Sequence, residues 1–229
     1  MKPTYSLLIP AYNASKSITA LMEETLSTTN GHKPDAIIVV DDGSGDDTAD
    51  KATRFTPHVV RHSQNKGKGA ALKSGFAYFL NNFSSTYLIT LDADLQHPPN
   101  YITALIDHAV SNRQPVVVGQ RSFTPPQMPL MRVLSNTITS QMISGMLGQS
   151  IPDSQCGFRL IHRDVLPLLN LRENGFQMES EFFFRCKEQN VNIGFCPIPT
   201  VYTPYGSSMH HVRDTFKFLK MIIKEARRI

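Results

Sequence analysis

Five short apolar runs, each closed by turn residues, constrain the fold of this chain more than any other feature. They occupy residues 5–9, 36–40, 59–60, 87–91 and 116–119, and most are apolar on consecutive rather than alternate positions. A strand reads this way when both of its faces are covered, as in a parallel sheet between layers of helix. The segments between them carry helical spacing. Ile18, Leu21, Met22 and Leu26 recur at three and four residues, as do Leu72, Phe76, Phe79 and Leu80, and then Ile102, Leu105, Ile106 and Ala109. Ser15 is placed to cap the first of these helices, and Gly31 lies beyond its end. Alternation of strand and helix through Gly119 predicts βαβ units, hence an α/β fold with a mostly parallel central sheet flanked by helices. Ligands of such sheets gather at the carboxyl ends of the strands. Asp41, Asp42, Asp92, Asp94 and Arg121 all fall at or just past predicted strand ends, so residues distant in sequence converge on one rim.

The second half is less regular. Helices are predicted at 128–147, 164–169, 178–188 and 212–227, with short strands at 159–161 and, as an edge strand, at 193–197. No linker rich in Gly, Ser or Pro divides the 229 residues, and 41% hydrophobic content permits a full core. A single domain over 1–229 is expected. Cys156, Cys186 and Cys196 are odd in number and match neither a zinc pattern nor a disulfide framework, so reduced thiols in a cytoplasmic protein are expected. The first residues lack the apolar stretch of a secretory signal. A net charge of +4 suits phosphate-bearing small molecules or an anionic membrane face. No nucleic-acid-binding motif is present, and no nucleic-acid partner is expected.

Three motifs carry chemistry. Leu91-Asp92-Ala93-Asp94-Leu95-Gln96 ends a buried strand with two carboxylates, ligands preferred by a hard cation such as Mg²⁺ or Mn²⁺. Val40-Asp41-Asp42-Gly43-Ser44 places acids where a ribose hydroxyl or a base N–H could be bound, although capping and turn formation explain the same residues. Asn65-Lys66-Gly67-Lys68-Gly69 offers backbone N–H groups and two ammoniums to a diphosphate. It fits neither familiar glycine-rich nucleotide loop.

Read in order, Ile9-Pro10-Ala11-Tyr12-Asn13, Val40-Asp41-Asp42-Gly43-Ser44, Asn65-Lys66-Gly67-Lys68-Gly69 and Asp92-Ala93-Asp94-Leu95-Gln96 resemble the inverting glycosyltransferases of family 2. Asp94-Leu95-Gln96-His97-Pro98, Gly119-Gln120-Arg121, Gly157-Phe158-Arg159-Leu160 and Phe176-Gln177-Met178-Glu179 sharpen the likeness toward dolichol-phosphate mannosyltransferases and related polyprenyl-phosphate sugar synthases. The resemblance implies a Rossmann-like sandwich of the glycosyltransferase A type, with a nucleotide-sugar half (1–120) and an acceptor half (121–229). It implies that Asp41 and Asp42 bind the base and ribose near Pro10, Ala11 and Tyr12. Asp92 would contact the nucleotide or metal, and Asp94 and Gln96 would ligate Mg²⁺ or Mn²⁺. Arg121, Arg132 and Ser135 would hold the acceptor phosphate, while Arg159, Gln177 and Glu179 would line the donor sugar. Lys66 and Lys68 are candidate helpers for the departing diphosphate. GDP-mannose and UDP-glucose are the leading donors. In the mobile loop that relatives close over the donor, Ser208-Met209 replaces a common Ser-Lys pair, and Arg213 is a possible substitute for that lysine.

A phosphate acceptor is already an anion and needs no general base, whereas arginine's planar fork suits its oxygens. A hydroxyl acceptor would require a base, with Glu179 or Asp153 as candidates. Two further readings come from other classes: a phosphatase with Asp92 as nucleophile and Asp94 as acid/base, and a binding subunit without catalysis. No stretch approaches the ~20 apolar residues of a membrane span, so a polyprenyl phosphate would be reached by peripheral docking or through a membrane-anchored partner subunit. Two stretches suit a surface role. Val212, Phe216, Leu219 and Ile223 form an apolar stripe bordered by Arg213, Lys217, Lys220, Lys224, Arg227 and Arg228; it reads as a membrane-surface helix or as a core-facing one. Met131, Leu134, Ile138, Met142 and Met146 form the second stripe.

Overall fold

The computed structural model describes residues 3–29, 31–122, 130–201 and 211–228, and side chains throughout these except at 130–132 and 211–215. The strands are β1 (Tyr5–Ala11), β2 (Ala36–Asp41), β3 (Val59–Arg61), β4 (Tyr87–Thr90), β5 (Val116–Arg121), β6 (Arg159–His162) and β7 (Ile193–Ile198). The helices are α1 (Ile18–Thr28), α2 (Thr48–Ala52), α3 (Lys68–Asn82), α4 (Ile102–Asn112), α5 (Leu130–Leu147), α6 (Met178–Glu188) and α7 (His211–Ala226). All seven strands join one sheet in the order β3-β2-β1-β4-β6-β5-β7. Pairings β1 with β2, β1 with β4, β2 with β3, and β5 with β7 are parallel, whereas β6 runs antiparallel to both β4 and β5. The chain thus forms a mixed α/β sheet, mostly parallel, with strands from both halves.

The central strands are buried along their whole length, as their unbroken apolar character predicts. Leu8, Val39, Leu88, Ile89, Val117 and Leu160 occupy the middle of a core that also takes in Phe79 of α3, Leu105 of α4 and Phe182 of α6. The strand order reverses between β1 and β4, because β2 and β3 extend the sheet on one side of β1 and β4 on the other. A crevice at that switch point is where a doubly wound sheet offers a ligand site.

Several local features depart from sequence expectation. Pro10 lies inside β1 rather than ending it. The carbonyl of Leu8 accepts from Leu91 N–H on the β4 side, so Pro10, two residues on, also turns toward β4. The last β1–β4 register pair is Leu8 with Thr90, so the missing N–H of Pro10 falls where no ladder bond is due. Ser17, not Ser15, stands at the α1 N-cap; Ser15 instead donates its N–H to Asp46. Leu26 faces solvent, and Thr25 takes the buried position. Residues 163–168 form a 3-10 helix, with Pro167 denying the segment the donor a longer α-helix would use.

The last helix is docked through the opposite face from its sequence stripe. Met221, Ile222 and Glu225 are buried, whereas Phe216, Leu219 and Ile223 are exposed. Glu225 pairs with Arg185 of α6, which also pairs with Glu181 and Glu188. Removing one partner from a buried ionic cluster is costly, so this contact fixes the rotation of α7. On α5, Ile143 and Leu147 face the core, whereas Leu134, Ile138 and Met142 face outward. Both stripes are therefore surface features over most of their described residues, Met146 being packed against the core. Among the described residues no helix is long and apolar enough to cross a membrane.

Candidate active site

The carboxyl ends of β1, β2 and β4 bring Tyr12, Asp41, Asp42, Asp92 and Asp94 to one rim. The antiparallel course of β6 puts its first residue, Arg159, level with Thr90 at the end of β4 and with Val118 on β5. Arg121 closes β5 at the same margin. Gly157, two residues before β6, approaches Asp92 so closely that an added Cβ would lie 2.6 Å from Asp92 Oδ2. This tight packing holds the first acid of the Asp-x-Asp motif against the sheet.

The glycine-rich loop is built differently from a phosphate cradle. The N–H groups of Lys66 and Gly67 donate to Asp42 Oδ1 and Oδ2 at 2.9 and 2.7 Å. His62 Nδ1 lies 2.6 Å from Asp42 Oδ1, and its Nε2 lies 2.9 Å from Ser74 Oγ on α3. Asp42 thus anchors the loop from within, and those two N–H groups are not offered to a ligand. Gly67 has φ +100°, and its Cβ would meet the Asn174 carbonyl oxygen at 2.4 Å; Gly69 is crowded by the Glu173 oxygen at 2.8 Å. Glycine is required here because the loop packs backbone to backbone on residues 173–175. Asp41 accepts from both the N–H and the hydroxyl of Ser44, which shapes the following turn. Pro10 and Ala11 are buried beneath this turn, Tyr12 is exposed beside it, and Lys66 points to solvent.

Lys68 opens α3 and reaches Asp92 Oδ1 and Glu179 Oε1, both at 2.6 Å. Burial works to raise the Asp92 carboxyl, but the Lys68 ammonium prevails and brings its pKa down to about 2. Burial works against the Lys68 charge too, yet the two carboxylates raise its pKa above the ordinary lysine value. Asp94 goes the other way: burial and the neighbouring Asp92 charge push it up to about 6. Its Oδ1 accepts the Gln96 N–H at 3.1 Å, the short-range turn that brings Gln96 alongside. Two crowded acids, one of them resisting ionisation, are the setting a divalent cation relieves. Among the described residues no group of three His, Cys, Asp or Glu side chains is arranged to hold a metal. Asp92, Asp94 and the Gln96 amide form a partial, oxygen-rich set that fits Mg²⁺ or Mn²⁺ with further oxygens from a ligand.

Of the expected acceptor residues, Arg121 is engaged within the protein. Arg121 donates from Nε and Nη2 to both oxygens of the fully buried Asp153, at 2.7 and 3.0 Å. Burial opposes the Arg121 charge, and Asp153 more than offsets it, raising the guanidinium pKa further. Asp153 is thereby poorly placed as a base for a hydroxyl acceptor, since it is fully buried and both its oxygens are bound by Arg121. Glu179, the other candidate base, is taken by Lys68. Arg159 is buried, donates to the carbonyls of Cys156 and Glu179 at 2.8 and 2.9 Å, and lies over the rings of Phe182 and Phe183. It braces the floor of the site rather than lining it. Gln177 is buried, with Nε2 donating to Glu173. Ser135 is exposed on α5. The Arg132 side chain and the expectations at Ser208, Met209 and Arg213 lie outside the described residues and side chains.

Sequence reading passed over His62 and the partners of the two basic residues, and it left His97 between a ligand and an ordinary hydrogen-bonding histidine. His97 is buried, stacks on Phe158, and is pushed by burial down to about 4, so it is neutral near pH 7. Cys156, Cys186 and Cys196 are buried free thiols.

A profile described as Glycosyl transferase family 2 matches residues 6–168. The chain belongs to glycosyl transferase family 2. It is 32% identical to a UDP-N-acetylglucosamine–dolichyl-phosphate N-acetylglucosaminyltransferase of Methanococcus voltae over 224 residues, covering 87% of this chain and 86% of the relative. It is 34% identical to an undecaprenyl-phosphate 4-deoxy-4-formamido-L-arabinose transferase of Serratia proteamaculans, covering 73% of this chain and 52% of that protein. The chain therefore spans about half the length of the latter. Among solved structures, the glucosyl-3-phosphoglycerate synthase of Mycobacterium tuberculosis, in complex with Mn²⁺, UDP-glucose and phosphoglyceric acid, superposes with a TM-score of 0.77 at 18% identity, covering 98% of this chain and 80% of that one. At that identity the likeness establishes the shared glycosyltransferase A fold. Family membership leaves the aspartyl-phosphatase reading without support.

Proposed function

We propose that this family 2 glycosyltransferase moves a sugar from a nucleoside diphosphate donor to a polyprenyl phosphate, with inversion at the anomeric carbon. The observation that carries the choice of acceptor is the state of the two candidate bases. Asp153 is consumed by Arg121 and Glu179 by Lys68, so neither candidate base is left unengaged for deprotonating a hydroxyl. A phosphate oxygen needs no deprotonation. It attacks the anomeric carbon as the bond from that carbon to the diphosphate oxygen breaks, and the nucleoside diphosphate leaves with the electron pair. The names of the Methanococcus relative and the Serratia relative, both acting on polyprenyl phosphates, support the same acceptor class. A uridine-linked donor ranks ahead of GDP-mannose, because the Methanococcus relative is named for UDP-N-acetylglucosamine.

In this reading Tyr12 and Asp41 flank the nucleoside, while Asp42 shapes that pocket from below. Asp92, Asp94 and Gln96 would hold Mg²⁺ or Mn²⁺ on the donor diphosphate, where the cation supplies Lewis-acid stabilisation of the leaving charge. Lys68 sits beside Asp92 within reach of the same charge. Glu179 and Gln177 border the sugar, and Arg159 fixes their backbone. Arg121, held by Asp153, and Arg132 and Ser135 on α5 orient the acceptor phosphate.

The decisive test measures transfer from labelled UDP- and GDP-sugars to a short polyprenyl phosphate, beside thermal shifts with and without Mn²⁺. Labelled lipid and a metal-dependent shift with a UDP-sugar are expected, since a ligand selective for the folded state raises the melting temperature. Release of free phosphate, or binding without turnover, would overturn the transferase reading.

We also assign the exposed stripes of α5 and α7 to peripheral docking at the cytoplasmic face of the membrane. Phe216, Leu219 and Ile223 are exposed, each followed by a lysine (Lys217, Lys220 and Lys224), with Arg227 and Arg228 just past α7, which suits an anionic surface. Replacing Phe216 and Ile223 together by Ser is expected to weaken the partition coefficient onto anionic vesicles by about a hundredfold or more, since burying each side chain contributes on the order of 1.5–3 kcal/mol. Binding equal to wild type would assign the docking to a partner subunit.

A further inference from the structure

We propose that Lys68 is an internal counter-cation that closes Asp92 to a divalent metal until a donor diphosphate arrives, so that metal and donor bind as a coupled pair. The inference rests on the metal and donor reading above and assigns Lys68 a gating role within it. The backbone on either side of Lys68 is anchored, so its ammonium works from a fixed base. The preceding N–H groups of Lys66 and Gly67 are held by Asp42, and Ala70 N–H is held by the Asn174 carbonyl at 3.0 Å. From that fixed base the ammonium reaches Asp92 and Glu179 together at 2.6 Å, with Phe176 flanking it. The three side chains are largely shielded from water, with 15%, 20% and 9% side-chain exposure. One bound cation thus already neutralises the acid nearest the presumptive metal position, and a second cation entering alone meets its repulsion at low dielectric.

A diphosphate changes that balance. It brings negative charge to the same rim and gives the ammonium a new partner, which frees Asp92 Oδ1. Asp92 has a second neighbour to turn to. His97 Nδ1 is buried without a hydrogen-bond partner and lies 3.7 Å from Asp92 Oδ2. A modest rotation of the carboxylate closes that gap once Lys68 withdraws. Because coupling between two ligands is reciprocal, the donor must raise metal affinity by the same factor as metal raises donor affinity. Lys68 is a positioning residue in this scheme.

Mn²⁺ binding, followed by electron paramagnetic resonance without nucleotide and with saturating UDP, tests the gate. For wild type, weak binding of Mn²⁺ alone and at least tenfold tighter binding with UDP are expected. Lys68→Met is expected to tighten binding of Mn²⁺ alone by about tenfold and to shrink the enhancement by UDP correspondingly, while Lys68→Arg stays close to wild type. Unchanged or weaker binding of Mn²⁺ alone by a folded Lys68→Met protein would overturn the proposal. Wild-type protein that binds no Mn²⁺ even with UDP would instead overturn the donor-site reading itself. The wild-type protein supplies a test independent of variant folding. The NMR signal of the Lys68 side-chain Cε is expected to move on saturation with UDP and Mg²⁺, and an unmoved signal would refute the gate.

Discussion

Asp94→Asn is expected to lower sugar transfer by at least a thousandfold while leaving the unliganded protein as stable as wild type or slightly more so. The opposite signs follow from the same charge. Burial and Asp92 already push the Asp94 carboxyl up to about 6, so its ionised form is unfavourable in the unliganded fold. Asparagine keeps the Oδ1 acceptor that receives the Gln96 N–H, and it removes the repulsion from Asp92. It also removes the charge a divalent cation requires. A thousandfold loss corresponds to about 4 kcal/mol of transition-state stabilisation, a reasonable share for an electrostatic contact at the leaving group. The metal-dependent thermal shift with a UDP-sugar should vanish together with turnover. A retained shift would remove Asp94 from the ligand set.

The second large effect is on folding. Asp42→Ala should destabilise the protein by about 4 kcal/mol. Two backbone N–H groups and His62 lose their acceptor in a buried setting, and hydrogen bonds to a charged group contribute about 1.5–3 kcal/mol each, only part of which solvent can restore. For a domain of this size the melting temperature should fall by roughly 10 °C. Asp42→Asn, which keeps one acceptor, should lose less. A melting temperature within a degree or two of wild type for the alanine variant would show that the glycine-rich loop holds its shape without this anchor.

What the sequence reveals about the fold follows the physics of local pattern. Strands β1, β2, β4 and β5 announce themselves because burial on both faces leaves consecutive apolar residues, and the acids at their ends announce the rim. The antiparallel insertion of β6 between β4 and β5 does not, since direction is set by neighbours rather than by composition. The site divides along the same line. Asp92, Asp94 and Gln96 are neighbours in the chain and were legible as a group. The Lys68–Glu179 pair is separated by 111 residues and Arg121–Asp153 by 32; no spacing rule encodes either. Asp42 was read as a ligand contact because a strand-end acid can serve either task, and only its donors Lys66, Gly67 and His62 reveal the internal one. The resemblance put Arg159 beside the donor sugar, and an arginine is usually exposed. Its carbonyl acceptors and the rings of Phe182 and Phe183 explain why this one is not.

The reversed strand β6 has a bearing on which sugars can be handled. Thr90, Arg159 and Val118 form one transverse row across β4, β6 and β5, and two steps of inter-strand spacing amount to roughly 10 Å. Asp92 hangs from one end of that row and Arg121 from the other. If the donor and acceptor phosphates bind at these two ends as proposed, the gap between them is ruled by a rigid ladder, like the jaws of a fixed-width gauge. Enzymes sharing this frame would be expected to adapt to different hexoses by exchanging loop residues at the rim, with the sheet left unaltered.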